Sequence, residues 1–66
     1  MNVQQRVAEY VHGSGIKNSF IAEKTGIHKD VVSRILHNSR EMRVDEFELF
    51  CKALKKSPSD FIHIDD

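Results

Sequence analysis

The chain has 66 residues, a formal net charge of zero, four histidines and one cysteine. A single domain of this size buries only about 60% of the surface its unfolded chain exposes, which leaves no room for a deep catalytic cleft, and a lone cysteine cannot form an internal disulfide. No apolar run approaches the roughly 20 residues of a membrane span and the opening MNVQQRVAEYVHGSG lacks a signal-peptide core, so the expectation is a soluble cytoplasmic protein without enzymatic activity.

Apolar spacing is helical throughout, without the alternation of a half-buried strand, and predicts an all-α fold of five helices. Val3, Val7 and Val11, with Ala8 and Tyr10 beside them, mark a first helix over about 3 to 12 that runs into Gly13-Ser14-Gly15. A short second helix is predicted over about 18 to 25, with Asn18 or Ser19 as its cap and Gly26 ready to take the left-handed conformation just past its end. Residues 28 to 37 form a third, in which Val32, Ile35 and Leu36 face inward and Val31 lies at the edge. After a loop from Asn38 to Met42, VDEFELFCKALKK forms a fourth, with Val44, Phe47, Phe50, Cys51 and Leu54 as its stripe and Asp45 and Glu46 favouring its start. Ser57-Pro58-Ser59-Asp60 joins a capping Ser, Pro at the first helical position and an acid at the third, which predicts a fifth helix of one or two turns carrying Phe61 and Ile62. No repeat, low-complexity tract or linker interrupts the chain, so residues 1–66 read as one domain.

Zero net charge conceals a division. Through Arg40 there are six basic residues (Arg6, Lys17, Lys24, Lys29, Arg34, Arg40) against three acidic ones, a balance of +3, and the remainder carries −3. His28 and His37 can add partial charge to the basic segment near neutrality. The spacing of His12, His28, His37 and His63 gives no pair on one helical face, so no metal is implied, and neither a cofactor nor a small-molecule ligand is evident. Cys51 falls on the inward stripe of the fourth helix and reads as a small core residue, not a nucleophile.

The most informative stretch is KNSFIAEKTGIHKDVVSRILHN, residues 17 to 38. Ala22 is small enough for two helices to cross closely, Gly26 suits a positive-φ turn, and Ile27, Val32 and Ile35 seat the second helix of the pair. This pattern resembles a helix-turn-helix. From the first helix through GIHKDVVSRIL to FELFCKALKKSPSDFI, about residues 3 to 62, the chain resembles the phage lambda repressor and Cro (Xre-type) DNA-binding domains. The resemblance implies that His28 to His37 is the recognition helix, which reads the major groove of double-stranded DNA. It departs from the family pattern at Phe20, Asn38, Met42 and Arg43. Many relatives also pair an Arg near Val11 with a Glu near Leu36. Both positions are apolar here, which predicts a hydrophobic contact between the first and third helices and avoids the cost of burying an ion pair.

Asp30, Ser33, Arg34 and His37 fall at i, i+3, i+4 and i+7, opposite the inward stripe. By resemblance, Lys29, Asp30, Ser33 and Arg34 match the family's base-facing positions. Arg34 can donate two hydrogen bonds to guanine O6 and N7, a contact worth about 1–3 kcal/mol of discrimination. Asp30 either accepts from a cytosine amino group or holds Arg34 through an i, i+4 pair. His28, as a cap or a DNA contact, and Val31 and His37 are secondary base-reading candidates. Lys17, Asn18 and Ser19 at the start of the second helix are placed to clamp phosphate, with Arg40 and Arg43 behind them.

One recognition helix spans few base pairs, so a homodimer on a pseudo-palindromic operator is expected, with half-sites about 34 Å apart. The tail 57–66 is the candidate dimer surface through Phe61, Ile62 and Ile64, against the simpler reading that Phe61 only closes the core. The function expected is a sequence-specific transcriptional regulator, most simply a phage or mobile-element repressor or Cro-like protein. The rival reading is a protein-interaction module of antirepressor or antitoxin type using the same helical face.

Overall fold

The helical spacing of apolar side chains is realised as α1 (Val3–Ser14), α2 (Asn18–Thr25), α3 (Lys29–Leu36) and α4 (Val44–Leu54), in a computed structural model that describes residues 1–63. Among the described residues there is no strand, and no helix is long and apolar enough to cross a membrane. Each stripe finds a partner: α1 packs on α3, and α2 packs on both α3 and α4. Val7, Ala8 and Val11 of α1, Ile21 of α2, Val32, Ile35 and Leu36 of α3, and Phe50, Cys51 and Leu54 of α4 are buried in one core. Fully burying such an aliphatic or aromatic side chain contributes about 1.5–3 kcal/mol, so this cluster is the main stabilising element. Val11 and Leu36, expected to meet across α1 and α3, both lie fully inside it.

Helix ends follow local chemistry. Asn2 Oδ1 accepts from the Gln5 amide at 2.8 Å while Gln5 Oε1 accepts from the Asn2 amide at 2.8 Å, a reciprocal cap for α1. The helix continues past residue 12 because its terminator is Gly15, left-handed at φ 69°, and not Gly13. Gly26 ends α2 at φ 77° as expected. The expected cap of α2 is corrected: Lys17 occupies the N-cap, Asn18 is already helical, and no side chain caps this end.

Two further expectations are corrected. Among the described residues there is no fifth α-helix. The start signal at Ser57 is realised, with Asp60 Oδ2 accepting from the Ser57 amide at 2.8 Å, but it yields only a 3-10 turn, Pro58–Asp60. Helix propagation has to repay a costly first turn, and here Phe61 turns into the core while its carbonyl accepts from Arg6 Nη1 at 3.0 Å. Tyr10 and Phe47 meet the Phe61 ring edge-on, at 5.8 and 6.3 Å between centroids. Val44, expected on the inward stripe of α4, is 85% exposed, because it is the first helical residue and lies beyond the reach of the core.

Candidate nucleic-acid interface

The geometry of α2 and α3 is set by the turn between them. The Gly26 amide donates to the Ala22 carbonyl at 2.9 Å. Thr25 Oγ1 donates to the Ile21 carbonyl at 2.7 Å and accepts from the Ile27 amide at 3.1 Å. One hydroxyl thus bridges the end of α2 and the entry to α3, while Ile27 packs against the core. Neither Thr25 nor its spacing to Ile27 stood out in the sequence, although a hydroxyl two residues ahead of an apolar anchor is a recognised turn-forming arrangement.

His28 caps α3: its Nδ1 accepts from the Asp30 amide at 3.2 Å. A ring nitrogen that accepts carries no proton, so Nε2–H is left as a donor. Beyond the cap, Val32, Ile35 and Leu36 anchor the inner face, and Lys29, Asp30, Arg34 and His37 are exposed on the outer one, with Ser33 and Val31 half-buried between the faces. The i, i+4 pair between Asp30 and Arg34 does not form. Asp30 Oδ2 lies instead 3.8 Å from His28 Nδ1, and the Arg34 guanidinium has no hydrogen-bond or ion-pair partner among the described residues. His37 Nδ1 is 2.8 Å from the Ser33 carbonyl, a spacing at which a ring N–H donates to it. Its ring stands 5.9 Å from that of His12.

At the start of α2, the amides of Phe20 and Ile21 both donate to the Lys17 carbonyl. The amides of Asn18 and Ser19 precede them at an end no side chain caps, where the helix dipole favours an anion. Lys17 and Ser19 are exposed there and Asn18 is half-buried. After α3 in the chain, Arg43 is exposed at the N-cap of α4. Arg40 is engaged within the protein, since its Nη1 donates to Glu46 Oε1 at 2.9 Å and to the Glu41 carbonyl at 3.3 Å. That bond from Arg40, with a further one from the Arg43 amide at 2.9 Å, holds the Glu46 carboxyl below the ordinary carboxylate range and raises the Arg40 guanidinium in turn.

Gln4 governs this loop and was missed in the sequence. Its Nε2 donates to the carbonyls of Ile35 at 2.9 Å and Arg40 at 2.7 Å, and its Oε1 accepts from the Met42 amide at 2.9 Å. A signal was present, since Gln4 precedes Val7 by three residues and so lies on the apolar face of α1, where a polar side chain needs partners.

In the tail, Phe61 is 4% exposed and closes the core, Ile62 is exposed, and Ile64 lies outside the described residues. Ile62 joins Val3, Met42, Val44 and Phe47 around a shallow apolar groove.

A family model for the Cro/C1-type HTH DNA-binding domain matches residues 6–66. Comparison with curated proteins and with solved structures returned no match. The matched span takes in the whole turn, the outer face of α3 and the basic start of α2, and the chain belongs to the Cro/C1-type helix-turn-helix DNA-binding domains.

Proposed function

We propose that this DNA-binding domain is a sequence-specific transcriptional repressor that occludes promoter DNA as a homodimer, of the kind carried by phages and mobile elements. The observation that carries this reading is the outer face of α3: Lys29 and Arg34 are exposed, and Arg34 is uncommitted to any described residue, on a helix whose other face is locked into the core. Side chains that must find base edges are useful only on an element that does not move. In the major groove Arg34 donates to guanine O6 and N7, Lys29 and Ser33 supply further donors, and Asp30 accepts from cytosine N4, with His28 Nε2–H and His37 Nε2 at the two ends and Val31 against a thymine methyl.

Lys17, with the amides of Asn18 and Ser19, holds phosphate on one side of the groove, and Arg43 holds it on the other. Arg40 serves as the buttress that keeps the Arg43 turn in place through Glu46. The second copy packs on the groove of Val44 and Ile62, with Phe61 supporting that surface from beneath. This pairing sets two α3 helices on half-sites of a pseudo-palindrome.

The salt dependence of duplex binding tests the reading. A dimer that neutralises about four phosphates through its two copies of Lys17 and Arg43 gives a slope of log affinity on log salt of about −3.6. A slope near zero, as expected of a protein-binding face, contradicts it.

A further inference from the structure

The face between α2 and α4 carries charge and apolar surface that neither the core nor the proposed DNA contacts use. Phe20, in the first turn of α2, is 43% exposed while its neighbour Ile21 is fully buried. The Lys24 ammonium stands 5.7 Å from the centre of the Phe20 ring. Phe20 and Ala53 line a groove together with Lys24, Lys52 and Lys55. Lys55 holds a left-handed backbone, φ 56°, at the end of α4, where glycine is the residue that adopts this conformation without steric cost. A cation therefore stands in the groove wall at a position the backbone alone would give to glycine.

We propose that this groove is a docking site for an acidic peptide segment of a partner protein, one apolar side chain of which packs on Phe20. The charge pattern selects this occupant. Three lysines line the groove beside one aromatic ring, so a segment with carboxylates on either side of an apolar anchor satisfies both the rim and the floor. Duplex phosphate would be served by the lysines alone and gives the ring nothing to cover. Single-stranded nucleic acid is held on successive aromatic platforms, and the groove has one ring. No α3 residue lines the groove, so docking here is compatible with DNA in the proposed mode and does not depend on it.

The test uses the full chain and a fluorescein-labelled peptide of about twelve residues in which Asp and Glu flank two leucines, read by anisotropy and by amide chemical shifts. Expected are shifts in residues 20–24 and 52–55, and weakening of at least about tenfold in Phe20→Ser and in the Lys52→Glu, Lys55→Glu double variant, as for truncating an interface anchor. Replacing the two leucines of the peptide by serine should abolish binding. Both variants alter exposed side chains, and an unchanged thermal midpoint and duplex affinity mark them as folded and separate this site from α3. The proposal is overturned if the peptide shifts map to α3, if Phe20→Ser binds the peptide as the parent does, or if a single-stranded oligonucleotide displaces the peptide from the same residues.

Discussion

Replacing Gln4 by alanine removes three hydrogen bonds at once: those to the Ile35 and Arg40 carbonyls and the one from the Met42 amide. A net hydrogen bond contributes about 0.5–1.5 kcal/mol, and these groups are only partly buried, so water re-solvates some of them and the total loss is about 2 kcal/mol. In a domain this small each kcal/mol moves the melting midpoint by about 4–8 °C, which predicts a fall of about 8–16 °C. Circular dichroism melting measures the midpoint, and hydrogen exchange of the Met42 amide reports whether the turn between α3 and α4 has loosened locally. Gln5→Ala is the matched control, because it removes only the exposed bond from the Asn2 amide, leaves the Asn2 side-chain cap of α1 in place, and should cost about 1 kcal/mol or less. A Gln4→Ala midpoint within about 3 °C of the parent, with Met42 exchanging as before, would refute the idea that this side chain ties the turn down.

Glu46 is held below the ordinary carboxylate range chiefly by its hydrogen bond from Arg40, so the stabilisation is complete above the unfolded-state value and disappears as pH falls through the lower folded one; Glu46→Gln should flatten the acid limb of urea midpoints taken between neutral pH and about pH 3. Burial, with a smaller contribution from Asp60, pushes the Cys51 thiol upward, so a disulfide reagent should label native protein slowly and at the rate of transient unfolding; labelling as fast as in denaturant would contradict the burial. Val44→Asp and Ile62→Asp should each convert the proposed dimer to monomer in sedimentation while leaving the melting midpoint of the monomer nearly unchanged, since both side chains are exposed.

The bounds of α2 and most residues of the core were legible in the sequence because they follow from local signals: glycine after a helix, and apolar residues at three- and four-residue spacing. Helix α3, expected over 28 to 37, is one residue shorter at each end, with His28 and His37 as its caps. The fifth helix failed for a non-local reason. Ser57, Pro58 and Asp60 form their start signal as written, but the Phe61 side chain is drawn toward Tyr10 and Phe47 and its carbonyl toward Arg6, residues distant along the chain. Val44 shows the complementary error, a residue in register with the stripe yet one position too early to reach the core. On the outer face of α3, spacing identified which residues share the surface but not their bonding. Asp30 and Arg34 stand one turn apart and remain unpaired, while Asp30 lies closer to the cap residue His28. Gln4 and Thr25 act through backbone groups, and a sequence gives no direct sign of which carbonyls a fold will leave open.

Whether α3 reads bases through Arg34 and Lys29 is decided by selecting binding sites from random duplex DNA, in parallel on the parent chain, Arg34→Ala and Lys29→Ala. Expected is a pseudo-palindromic motif with half-sites one helical turn apart, and loss of preference at one guanine per half-site in Arg34→Ala, corresponding to about 1–3 kcal/mol of discrimination. Failure to enrich any sequence, or the same motif at full strength from both variants, would contradict base reading by this helix.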